Sequence, residues 1–166
     1  MSEIQDPITT EKQKYQNIGG WLILVGIGIV LSPLRLLLFI GRDLLPVFLS
    51  ETWTTLTTPG TQIYHPFWGP LLIFELLGNV FFLVFSLVLV IFFFQKRKAL
   101  PPMIISFYLL NLFFVVSDHF LANLIPLIAN QSDQGSLMEI FRSAIASLIW
   151  VPYFLFSKRV KGTFVN

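Results

Sequence analysis

The stretch FWGPLLIFELLGNVFFLVFSLVLVIFFF, residues 67–94, decides what kind of protein this is. It is longer than the roughly 20 residues that an α-helix needs to cross the hydrocarbon core of a bilayer. Its apolar positions do not alternate, which excludes a strand of a membrane barrel. Only Glu75, Asn79 and Ser86 interrupt it with hydrogen-bonding side chains other than Trp68. Three further runs of similar character, residues 18–40, 103–128 and 140–156, give four apolar segments in all. The chain is 55% hydrophobic and 12% charged, too little polar surface to coat a soluble domain. The expected fold is therefore all-α, an integral membrane four-helix bundle. The first run is too long for a secretory signal and is followed by SPLRLL rather than a small-residue cleavage site, so it is expected to remain as an anchor.

Charge placement sets the expected topology. Lys12 and Lys14 precede the first span, Lys96, Arg97 and Lys98 follow the second, and Lys158, Arg159 and Lys161 follow the fourth. The positive-inside rule then puts both termini in the cytoplasm. The domain reading is a tail at 1–17, one four-span domain at 18–157 with an outer loop at 41–66, and a second tail at 158–166. In that loop Leu44, Leu45, Phe48, Trp53 and Leu56 recur at helical spacing opposite Ser50, Glu51, Thr54 and Thr55. This pattern predicts a short amphipathic helix lying in the interface. Tyr15 and Trp21 on one side, and Trp53, Tyr64 and Trp68 on the other, match aromatic belts.

Several chemistries are excluded or disfavoured. The chain has no cysteine, so disulfides, thiol redox and cysteine-based metal sites are out. Its two histidines, His65 and His119, are far apart, and no P-loop, HExxH or Gly-x-Ser-x-Gly pattern occurs. No cofactor, no metal and no nucleic acid is expected, since the basic residues sit at segment ends and form no continuous face.

The polar residues are more informative when placed by depth, at about 1.5 Å of rise per residue. Arg35 falls late in the first span, Glu75 and Asn79 early in the second, Asp118, His119 and Asn123 late in the third, and Arg142 early in the fourth. All lie in the outer half. A lone charge facing lipid is expensive, so these seven residues are expected to face one another or a hydrated cavity. Arg35 and Arg142 are expected to pair with Glu75 and Asp118. Gly28 and Ser32 are expected to share Arg35's inward stripe, and Ser32–Pro33 to kink the first span. His119 is expected to hydrogen-bond an oxygen, and Glu139, on the inward stripe of the fourth span with Arg142, Ser143, Ala146 and Ser147, to form a capping box with Ser136 and to pair with Arg142. Trp53, Tyr64, His65 and Trp68 are expected to form a rim above the cluster.

The strings GGWLILVGIGIVLSPLRLL, PGTQIYHPFWGPLLIFELLGN, DHFLANLIP and PYFLFSKRVKGTFV together resemble the DUF2569 family of bacterial inner-membrane proteins, over about Gly19 to Val165. The resemblance implies a small multi-span protein of the bacterial cytoplasmic membrane and supplies no reaction or active site. The functional expectation is a nonenzymatic binding or accessory protein whose outer cluster takes a small anionic ligand or lipid headgroup. The alternatives are a small transporter with Glu75 and Asp118 as coupling carboxylates, and an intramembrane hydrolase. Expected partners are membrane lipids, a ligand from the outer side, and a membrane protein or second copy of the chain.

Overall fold

The computed structural model describes residues 18–130 and 134–166. The expected N-terminal tail at 1–17, with Lys12, Lys14 and Tyr15, lies outside the described residues, as do residues 131–133. The long helices are α1 (Trp21–Phe39), α4 (Trp68–Phe94), α5 (Leu100–Ala122) and α7 (Gln134–Phe156). A π-helical turn (Ile40–Leu44) and two short helices, α2 (Leu45–Leu49) and α3 (Glu51–Thr57), follow α1. The short helices α6 (Pro126–Ala129) and α8 (Lys158–Thr163) complete the chain. No strand occurs among the described residues, and four helices are long and apolar enough to cross a membrane, the first running on to Leu49. The four-span all-helical fold is the one the apolar runs demanded.

Local chemistry sets where the helices stop. Lys96 adopts φ 53°, its N–H bonds the Phe93 carbonyl at 3.2 Å, and the Arg97 N–H reaches back to Phe92 at 3.1 Å. These are the two bonds of a Schellman stop, here with lysine where glycine is usual. Pro101 and Pro102 then open α5, in the first turn where a missing N–H is harmless. Ser50, extended at ψ 173°, ends α2 and caps α3 by accepting from the Thr52 N–H at 3.3 Å. The outer amphipathic stretch is thus two short helices set at an angle by Ser50, where one was expected. Pro33 lies inside α1, which continues through it, and the helical irregularity falls further along, at the π turn.

The spans pack as a row in which α4 touches α1 on one side and α5 on the other, and α5 touches α7. Between α1 and α7 there is hardly any backbone approach. These two meet through side chains, Trp21 against Trp150 edge-on at 6.5 Å and Arg35 with Glu139 at 3.7 Å. The apolar core lies toward the basic end, where Leu22, Val25, Phe93, Leu100, Ile104 and Phe154 are buried together.

Two boundaries differ from expectation. The third span ends at Ala122, and Ile125 is extended (φ −95°, ψ 113°), as the residue before Pro126 prefers to be. The stretch 158–166, expected as a tail, folds back. Val160, Thr163 and Phe164 are buried, and Asn166 exchanges backbone hydrogen bonds with Lys96 and Lys98 at 3.2 and 2.7 Å.

Candidate functional site

Each of the four spans carries one ionisable group to a common level. Arg35 of α1 and Glu139 of α7 form an ion pair at 3.7 Å across the seam those helices leave open. Glu75 of α4 is half-buried, and Asp118 of α5 and Glu139 are the charged neighbours that act on it. One carboxylate oxygen of Asp118 is fully buried. Among the described residues the cluster thus holds three carboxyl groups and one guanidinium. Arg142, expected among them, has an exposed side chain, and Arg35 pairs with Glu139 rather than with Glu75 or Asp118.

The remaining predicted residues serve the helices. Buried Asn79 donates its amide to the Glu75 carbonyl one turn earlier at 2.9 Å, which settles a polar group that has no water to bond. Asn123 is exposed and donates to the His119 carbonyl at 2.8 Å. His119 Nδ1 is hydrogen-bonded to Ser136 Oγ on α7. With Ser143 donating to Asn111 Oδ1 at 3.0 Å and Ser147 donating to the Tyr108 carbonyl at 3.3 Å, this makes a ladder of three polar contacts fastening α5 to α7. On the other side of α5 the approach to α4 is close because Gly78 lets the Phe114 ring lie against its backbone. Gly28, expected to face inward with Arg35, has nothing within 4 Å of where a Cβ would stand.

The aromatic rim is a separate place. Trp53, Tyr64 and His65 line a pocket of about 300 Å³ with Gly69, Pro70 and Ile73. Trp68 does not line it. Its indole N–H donates to the Ile63 carbonyl at 3.1 Å and holds the loop to the helix. Ile73 and Glu75 are two residues apart, about 200° around α4, so the pocket and the charge cluster occupy opposite faces of one helix.

Sequence reasoning put Glu139 on the inward stripe of the fourth span but left it out of the cluster, because Ser136 looked like the residue before a helix. Helix α7 already runs at Gln134, so Glu139 stands inside it, at the depth of Arg35 and Glu75. The depth argument applied to Arg35 finds it too. Among the described residues no group of three acidic or histidine side chains is placed to hold a metal ion.

The family described as "Protein of unknown function (DUF2569)" matches residues 15–165. The chain belongs to the DUF2569 family. Another protein similar to this DUF2569 chain is the inner membrane protein YdgK of Escherichia coli (strain K12), 29% identical over 157 residues that cover 91% of this chain and 95% of that protein. No solved structure matches. The inner-membrane relative and the four apolar helices together support a bacterial inner-membrane protein.

Proposed function

We propose that this is a nonenzymatic inner-membrane binding protein whose site is the four-span charge cluster, entered sideways through the seam between α1 and α7 and occupied by a cationic group. The supporting observation is the Arg35–Glu139 pair lying across that seam, with Glu75 and Asp118 grouped beside it. An anionic headgroup was the expectation from sequence, but Arg35 already faces a carboxylate and Arg142 is turned outward. Three carboxylates around one guanidinium favour an amine. Glu75 and Asp118 are part-buried behind the exposed Arg35–Glu139 pair, where the attraction between an ammonium and two acids is stronger than in bulk water and an anion is penalised. Arg35 then acts as the resident cation that an incoming amine displaces. The reading involves no catalytic step.

Glu75 and Asp118 acting on each other also favours a second reading, a small transporter that exchanges an amine for a proton at these carboxylates. The test uses protein in nanodiscs and three single-tailed amphiphiles of equal length, a primary amine, an alcohol and a phosphate monoester, with affinity read by titration calorimetry. The amine is expected to bind best, and Glu75→Gln and Asp118→Asn to weaken it about tenfold or more in monodisperse protein. Equal binding of amine and alcohol overturns the proposal. Preferred binding of the phosphate monoester, lost in Arg35→Gln, restores the anionic ligand. Flux of the amine in proteoliposomes, abolished by Glu75→Gln, selects the transporter.

A further inference from the structure

At the opposite end of the bundle from the charge cluster, an apolar groove of about 360 Å³ runs between α1 and α4 on the lipid-facing surface. Its walls are Ile23, Ile27, Val30 and Leu31 from α1 and Phe93 and Phe94 from α4. Gly26 makes its floor. A Cβ there would stand 2.9 Å from two atoms of the Phe93 ring, so the absent side chain is what lets the ring settle and leaves the channel beside it. From Ile23 to Leu31 the groove is about 12 Å long at 1.5 Å per residue. That is most of one leaflet's share, roughly 15 Å, of the hydrocarbon core.

The groove's mouth is strongly basic. Phe94 is followed two residues later by Lys96, Arg97 and Lys98, and Ile18 at the mouth is two residues from Gly20, against which the Arg159 guanidinium lies at 3.4 Å from the Cβ position. Lys158 and Lys161 add two more cations on α8, which is docked at this end.

We propose that this groove holds one anionic glycerophospholipid of the leaflet on the basic side, an acyl chain lying between α1 and α4 and its phosphate engaged by Arg159, Lys96 and Arg97. Apolar length below and concentrated positive charge above is the complement of that molecule, whereas a zwitterionic lipid matches only the apolar half. The site is distinct from the charge cluster in position and in sign, and its test does not depend on that cluster.

The experiment is native mass spectrometry of the full chain released from nanodiscs of equal phosphatidylglycerol and phosphatidylcholine. The wild type is expected to retain one phosphatidylglycerol in clear preference. Replacing Arg159 and Arg97 by glutamine is expected to reduce that preference about fivefold per cation while a lipid is still retained. Val30→Trp, which fills the groove at an exposed position and leaves every cation in place, is expected to remove retention of both lipids. Equal retention of the two lipids by the wild type overturns the proposal. So does unchanged retention in Val30→Trp that is as monodisperse and heat-stable as the wild type.

Discussion

Gly78→Ala tests the packing that brings Glu75 and Asp118 to one level. The added methyl would lie 2.0 Å from Phe114 Cε2 and 2.3 Å from Cζ, against 3.4 Å or more for ordinary contact, so the ring has to retreat by about 1.4 Å. Its path is blocked, with Phe74 at 4.9 Å and Phe82 at 5.4 Å between ring centres. Overpacking of this kind typically costs about 1–3 kcal/mol. Alanine's better helix propensity, up to about 1 kcal/mol in water, works in the other direction, so a measured loss understates the steric part. Two internal comparisons calibrate the number. At Gly26 the intruding contacts are 2.9 Å, which calls for a much smaller shift, and at Gly28 a methyl meets open space. Reversible unfolding in mixed micelles should rank the three alanine variants Gly78, Gly26, Gly28 from most to least destabilised, with Gly28→Ala within about 0.5 kcal/mol of wild type. In a Phe114→Leu background the Gly78→Ala penalty should vanish, a coupling of at least about 1 kcal/mol. A Gly78→Ala protein as stable as Gly28→Ala, or a penalty that survives removal of the ring, refutes the close α4–α5 approach.

Lys96→Gly should stabilise the fold by about 1 kcal/mol, because glycine carries no penalty at the positive φ that ends α4, and thermal unfolding in detergent would show it. Ser143→Ala should destabilise by about 0.6 kcal/mol and no more than about 1.7, the range found for hydrogen bonds between membrane helices, when measured by the same micelle titration.

What the sequence made legible was mostly axial. Span number follows from composition because a bilayer asks one question of every residue, and depth follows because an α-helix advances by a fixed rise. Arg35, Glu75 and Asp118 come to one level for that reason. Azimuth was not legible. Whether Gly26 or Gly28 faces a neighbour depends on where α4 stands, and no local pattern in an all-apolar run encodes that. The same ignorance joined the rim of Trp53, Tyr64 and His65 to the cluster, when α4 separates them by half a turn. The end of the third span was misplaced by hydropathy, which carries on through LIPLIA, although Pro126 already signals that Ile125 leaves the helix. Glu139, though placed on the inward stripe, was kept out of the cluster by a cap reading, because a serine three residues before a glutamate looks the same whether a helix begins there or has already begun.

The two edges of α7 are held very differently, and this bears on where the proposed site would open. Toward α5 it is fastened by three polar contacts, His119–Ser136, Asn111–Ser143 and Tyr108–Ser147, in surroundings where such groups find no water as a substitute. Toward α1 it has one aromatic contact near the basic end and one ion pair near the other, separated by eleven residues of α7, about 16 Å. The pair is 77% and 55% exposed, and exposed pairs contribute about 0–1 kcal/mol. Any separation of the bundle is therefore expected to start at the α1–α7 seam, and at the cluster end of it, since Trp21 and Trp150 hold the other end. Glu139 is already open at this seam, so the groups that such a motion would uncover are the carboxyls of Glu75 and Asp118. On the proposed reading, a cation that releases Arg35 from Glu139 would supply in exchange an interaction of the same kind, so opening and occupation of the site would be one event.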